Sequence, residues 1–401
     1  MDKARSGDSL LRERGRQDSG RVGMVELFFD LVFVFAVTQL SHTLLAHFDV
    51  ATALEVALLM LAVWWVWIYT SWFTNWLDPE RIPVRACLFA LMAAALVLAV
   101  SIPEAFAQRG LAFAAAYASM QVGRTLFFLW AVRGERRSLV RNFQRILAWL
   151  SVAAVFWVAG GLAEGSARVA LWVAALAIEV VSPVTYFWVP GLGRSSTADW
   201  DVDGSHMAER CGLFVIIALG ESLLVTGATF AGSAWSQAAV AGFVVAFLGT
   251  VAMWWIYFDS GASVAHHRIA HADDPGRQAR IAYSYFHLPI VAGIIVGAVA
   301  DELVLAHPDH ADTGTIVAIL GGPALYLVGT ALFKWVTNVR RLPPLSHLAG
   351  LAGLVALIPL ATSHRASALT LGALATAALL LVAVWERVAL SRPRRASNAR
   401  A

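Results

Sequence analysis

Stretches of about twenty residues that carry almost no charge recur along this chain from end to end, and no other feature limits its fold so tightly. Each is long enough to cross a hydrocarbon core of about 30 Å as an α-helix rising about 1.5 Å per residue. Twelve can be marked off, near 25–45, 52–77, 84–103, 111–132, 144–163, 168–189, 209–230, 236–258, 281–302, 313–334, 346–362 and 367–387. Composition agrees: 59% of the 401 residues are hydrophobic and 14% are charged, where a soluble domain carries about 25% charge. The expected fold class is therefore an all-α polytopic membrane protein of about twelve transmembrane helices.

Direction follows from the arginines, because positively charged short loops stay in the cytoplasm. Loops after even-numbered segments carry Arg81 and Arg85, a run from Arg133 to Arg145, Arg194, Arg268, Arg277 and Arg280, and Arg340 and Arg341; loops after odd-numbered ones carry only Arg109, Arg168 and Arg365. Both termini are basic and are placed inside. The layout expected is a cytoplasmic basic tail over 1–24, six helices over 25–189, a cytoplasmic linker over 190–208, six more helices over 209–388, and a tail over 389–401. Both tails lack apolar periodicity and read as disordered. Glu26 and Asp30 inside the first apolar run argue against a cleaved signal peptide.

The halves echo one another in order. Trp67-Ile68-Tyr69 returns as Trp255-Ile256-Tyr257, and Val122, Gly123, Leu126 and Phe127 return as Val328, Gly329, Leu332 and Phe333. Glu26 opens the first segment as Glu209 opens the seventh, and Pro103 and Glu104 close the third about where Asp301 and Glu302 close the ninth. An even number of helices per half makes the expected arrangement two parallel six-helix repeats.

An ionisable group inside a membrane helix is costly without a partner or water, so each such group is a functional candidate. Glu26, Asp30, Thr38 and Ser41 share one face of the first helix at about 100° per residue, with Val34 and Val37 between them as a dry constriction able to gate by dewetting. Glu26 and Asp30 at headgroup level, paired with basic loops, is the competing reading. Glu179, Glu209, Glu221 and Asp259 are the other acidic candidates, and Arg124 is the one basic residue well inside a span. A fixed Arg–carboxylate pair is the structural alternative for Arg124 and Glu221. Pro183 is expected to free a carbonyl and kink the helix that bears Glu179. Acidic groups outnumber basic ones in these segments, which favours a cation or proton over an anion.

Several chemistries are weakly supported. Two cysteines, Cys87 and Cys211, make neither a disulfide framework nor a four-cysteine zinc site. The basic residues lie between apolar blocks and at the ends, so no nucleic-acid groove is expected. His266, His267 and His271, and His307, Asp309, His310 and Asp312, read as solvated loop residues, so no metal site is expected. Gly293 and Gly297 read as a close-packing pair. Phosphate-loop, G-x-S-x-G and H-E-x-x-H signatures are absent, and neither an enzyme nor a cofactor is expected.

The run VELFFDLVFVFAVTQLSH from Val25 to His42, ERCGLFVIIALGES from Glu209 to Ser222, and WWIYF from Trp254 to Phe258 resemble the bacterial low temperature requirement A family over about residues 22–388. That resemblance implies an integral protein of the bacterial cytoplasmic membrane, with a cold-growth phenotype behind its name and no established activity. FFDLVFVFAVT from Phe28 to Thr38 is also similar to the first-helix F-S-D motif of endolysosomal-type potassium channels built from six-helix repeats. Phe29 stands at the serine position, and Met24 where those channels carry an arginine.

The function expected is a secondary transporter or channel for a cation, proton or small solute, with its path near the first and seventh helices. A non-transporting lipid-interacting or scaffold protein supporting growth in the cold is the main alternative. Membrane lipid is the expected partner, nucleic acid is not, and homo-oligomerisation is left open.

Overall fold

A computed structural model describes residues 9–12, 21–196, 202–259, 275–337 and 342–391. Among these residues the chain is helical throughout, with two isolated β-bridges, Leu11 to Leu77 and Val189 to Gly193. Twelve long helices run in order: α1 Met24–Ala46, α2 Val50–Trp76, α3 Ile82–Ser101, α4 Gly110–Ala131, α5 Arg137–Leu162, α6 Gly165–Val184, α7 Gly204–Gly232, α8 Gln237–Phe258, α9 His287–Ala306, α10 Thr313–Thr337, α11 Leu345–Ala356 and α12 Ala368–Ser391. Eleven candidate spans among the described residues are long and apolar enough to cross a membrane, so the chain is a multi-pass membrane protein. The helix outside that set is α4, which carries Gln121 and Arg124.

Local chemistry sets many of the ends. Asp49 caps α2 by accepting the Thr52 N–H at 2.8 Å, Ser236 caps α8 through the Ala239 N–H at 3.1 Å, and Glu26 accepts the Gly23 N–H at 2.8 Å in a capping box. Pro183 does not kink α6: it sits in the last turn. The Glu179 carbonyl that its missing N–H would have served takes the Ser182 hydroxyl at 2.8 Å instead. Tyr186 and Phe187, at φ 55° and 49°, then turn the chain away through the left-handed region.

The helices gather into two compact units. Unit 1 holds Met1–Ile217 and Ile269–Ser284, and unit 2 holds Ala218–Arg268 and Tyr285–Ala401, so the boundary falls inside α7. In unit 1, α1 packs on α2 and α3, α4 on α2, α3 and α5, and α6 on α5. Trp64, Trp67, Phe33 and Phe214 form its aromatic centre, the Trp67 and Phe214 rings lying 4.3 Å apart. In unit 2, α9 lies along α10, and α12 touches α8, α9, α10 and α11. A Cβ on Gly293 would collide with the Tyr326 nitrogen, and one on Gly322 would fall 2.7 Å from the Gly297 nitrogen. The close-packing reading of Gly293 and Gly297 thus holds, with α10 supplying Gly322. Large apolar side chains that face outward, such as Val155, Leu224 and Leu381, suit lipid rather than water.

Three expectations are corrected. Residues 9–12 of the N-terminal tail are ordered against α2: the Arg12 N–H donates to the Trp76 carbonyl and the Asp78 N–H to the Leu10 carbonyl, each at 2.9 Å. Asp301 and Glu302 do not close α9, which runs on to Ala306, because Leu303, Val304 and Leu305 continue its apolar face. Glu209 does not open α7, which starts at Gly204. The remainder of both tails, Arg268, Arg340, Arg341, and the loop histidines His266, His267 and His271 lie outside the described residues.

Candidate functional site

Glu26 is fully buried at the start of α1 and carries three donors. Its Oε2 accepts from Gly23 and, at 3.1 Å, from the Arg12 guanidinium; its Oε1 lies 2.8 Å from His206 Nε2. The Asn75 amide donates to His206 Nδ1 at 3.2 Å, which places the ring proton on Nε2, facing Glu26. Asn75 also donates to the Asp203 carbonyl at 2.8 Å and accepts the Asp203 N–H at 3.1 Å. Asp203 in turn caps α7, with the Ser205 and His206 N–H groups on its Oδ1 at 2.9 and 3.2 Å. Burial works against its charge, but the Ser205 hydroxyl and those two N–H groups outweigh it and hold its carboxyl below the ordinary aspartate range.

One turn along α1, Asp30 is sealed from water. Its Oδ1 accepts from Trp67 Nε1 and from Arg210 Nη2, both at 2.9 Å. Arg210 is itself fully buried, reaches the Ser71 hydroxyl at 3.3 Å, and stacks over the Trp67 ring at 5.5 Å. The competing sequence reading had basic loops as the partners; the residues here are Arg210 in α7, and Arg12 and His206 for Glu26.

Asp30 Oδ2 has no hydrogen-bond partner among the described residues, whereas Glu179 on α6 is saturated. Tyr117 Oη at 2.7 Å and Gln121 Nε2 at 2.6 Å donate to its Oε2, and Trp157 Nε1 donates to its Oε1 at 2.9 Å. Arg124 makes no direct pair with it. Its guanidinium donates to the Gln121 side-chain oxygen, to Thr70 at 2.9 Å and to the Val66 carbonyl at 3.2 Å, so Gln121 relays between the two charges.

The remaining α1 candidates are less exceptional. Thr38 and Ser41 donate to the Val34 and Val37 carbonyls of their own helix at 3.1 and 3.2 Å, and Val37 is buried in the packing. Glu209 is exposed and accepts the Val22 N–H at 3.2 Å. Asp259 meets Arg387 at 3.3 Å at an exposed helix end.

Unit 2 presents a different situation. Glu221 is 3% exposed, and its Oε1 has no hydrogen-bond partner among the described residues. Asp301 lines a pocket of about 40 Å³ together with Ser222, Thr250 and Thr376, room for about three water molecules. Its walls are small or apolar, among them Gly249, Gly297, Ala300 and Gly372. Pro323, also in the wall, has no N–H to give the carbonyl of Ile319 four residues earlier, which leaves that pocket-lining residue without its helical donor. The Ser222 and Thr250 hydroxyls are 3.3 Å apart, and Thr250 can donate to the Ala246 carbonyl at 3.2 Å. No hydrogen bond or ion pair engages Asp301 among the described residues. Among those residues, too, no three His, Cys, Asp or Glu side chains assemble as metal ligands.

Sequence reasoning missed Arg12, His206, Asp301 and the three hydroxyls. The available signal for Asp301 was the apolar run that follows it, together with Pro323 inside the next span.

The sequence profile of the bacterial low temperature requirement A protein (LtrA) matches residues 21–384. An uncharacterized protein of Rhizobium meliloti (strain 1021) is 44% identical over 384 residues, covering 95% of this chain and 92% of the relative. No solved structure matches. With a match that runs from the start of α1 into α12, the chain belongs to the bacterial low temperature requirement A family.

Proposed function

We propose that the chain is a membrane transport protein for a cation or proton, with small solutes as the wider class, and that it is not an enzyme. The single observation that carries this reading is the unit 2 pocket, whose wall holds Asp301 together with Ser222, Thr250 and Thr376, with no hydrogen-bond or ion-pair partner for Asp301 among the described residues. A partly buried carboxylate left without a partner among apolar helices is costly, a cost that a fold has no reason to keep unless something arrives to offset it. Glu221, elsewhere in unit 2 and outside the pocket wall, is buried with an orphaned oxygen. The arginine pattern places both termini and the basic loops in the cytoplasm, and the ordered echoes between the halves support two parallel six-helix repeats in a bacterial cytoplasmic membrane.

The lipid-interacting or scaffold reading is favoured by unit 1, whose buried carboxylates Glu26, Asp30 and Glu179 are held as a structural frame would hold them. Flux separates the two. Purified protein in liposomes, with voltage- and pH-sensitive dyes, is expected to carry a cation or proton flux that Asp301→Asn abolishes. Absence of flux of any monovalent cation or proton under imposed gradients would remove the cation and proton reading and leave small solutes as the class to assay next.

A further inference from the structure

The unit 2 pocket has a donor set that specifies more than a generic charge. Asp301 is the one ionisable side chain in its wall; the other polar side chains there are Ser222, Thr250 and Thr376, and Ile319 is in the wall too, its carbonyl deprived of its usual helical donor by Pro323. All are hard oxygen donors, which select alkali and alkaline-earth cations over thiolate- or imidazole-loving metals. Net charge narrows the set. One carboxylate balances one positive charge; a divalent ion would leave an uncompensated charge in a low-dielectric bundle, and calcium sites ordinarily gather several carboxylates. Size narrows it again, since about 40 Å³ admits a small ion with a water or two.

The helices hold these donors in place. Gly249 lets α12 approach α8 closely, since a Cβ there would sit 3.3 Å from Thr376 Oγ1. Ile294, Gly297, Asp301 and Val304 fall on one face of α9 and turn it to the pocket. Ser222 can donate its proton to Thr250, which keeps its own lone pairs for a ligand.

We propose that this pocket binds one small monovalent alkali cation of sodium size, ligated by Asp301, Ser222, Thr250, Thr376 and the Ile319 carbonyl. The inference rests on the cation-transport reading for its purpose, and it is tested by binding rather than flux so that the two fail separately. Full-length protein in detergent, exchanged into choline chloride, is titrated with radioactive sodium in a proximity assay and competed with lithium, potassium and calcium. The expected result is saturable binding displaced better by lithium than by potassium, and not by calcium at equal concentration. Asp301→Asn, with an unchanged melting temperature in choline, should weaken binding by about 10-fold to 100-fold. Thr376→Val should weaken it about threefold to tenfold, and serves if Asp301→Asn does not fold. No saturable sodium binding by folded protein, binding unchanged in both variants, or displacement by calcium would overturn the inference. Proton flux that depends on Asp301 without sodium binding would overturn it while leaving the transport reading standing. Sodium binding without flux would do the reverse.

Discussion

Asp30 in unit 1 and Asp301 in unit 2 are the same side chain on long apolar helices, yet their surroundings have little in common. Asp30 has an indole N–H and a guanidinium on one oxygen, inside a shell of tryptophan and phenylalanine rings. Asp301 has hydroxyls across a small pocket and no partner among the described residues. The contrast extends outward: Glu26 and Glu179 each carry three donors, while Glu221 has an orphaned oxygen and, unlike Asp30, whose Oδ2 is orphaned as well, no arginine among the described residues on its other one. An acid saturated by fixed donors holds helices together, and one left open among hydroxyls is ready for a ligand. Burial differs as well, Asp30 being fully buried and Asp301 partly so, and the guanidinium on Asp30 completes the difference.

Breaking the saturated side should hurt folding most. Arg210→Met leaves Asp30 charged and buried with only Trp67, and should cost roughly 3–5 kcal/mol in detergent unfolding followed by near-ultraviolet circular dichroism. Adding Asp30→Asn to that variant should restore most of the loss, whereas additive losses would mean that the pair is not the unit of stability. Glu179→Ala strands the Tyr117, Trp157 and Gln121 donors and should cost about 3 kcal/mol, with Glu179→Gln milder because its amide oxygen still accepts. At the α9–α10 crossing Gly322→Leu, which drives a side chain into the Gly297 backbone, should cost about 1–3 kcal/mol by the same measurement.

Smaller effects sharpen the comparison from the surface side. Asp203→Ala removes the α7 cap and should cost about 1 kcal/mol at neutral pH. The folded carboxyl lies below its ordinary range, so the stability from its charge is complete above the unfolded value of about 3.9 and fades as pH falls through the folded one. Wild type and Asp203→Ala melts should therefore converge in acid; a gap that widened there would reverse the sign. Asp259→Asn, in an exposed pair with Arg387, should change stability by less than about 1 kcal/mol.

Much of the fold could be read from the sequence because a bilayer accepts few backbone solutions, and uninterrupted apolar runs announce helices. The ends were less legible. α5 starts at Arg137 rather than near 144 and α7 at Gly204 rather than 209, because hydropathy marks the lipid core while a helix runs on through polar residues, helped at α7 by the Asp203 cap. For the site, Glu26, Asp30, Arg124, Glu179 and Glu221 stood out as charges in apolar segments. Their partners did not: Glu26 and His206 are 180 positions apart, and one sequence carries no record of such pairings. Asp301 was hidden by its place near an expected span end, where an acid looks ordinary.

The most direct test is to melt the wild type, Glu179→Gln and Asp301→Asn side by side in choline and in sodium. The account predicts that Glu179→Gln lowers the melting temperature in both salts yet keeps the wild-type sodium stabilisation, while Asp301→Asn melts near wild type in choline and gains nothing from sodium. Sodium stabilisation retained by Asp301→Asn and lost by Glu179→Gln would contradict the division between the saturated and the open carboxylates.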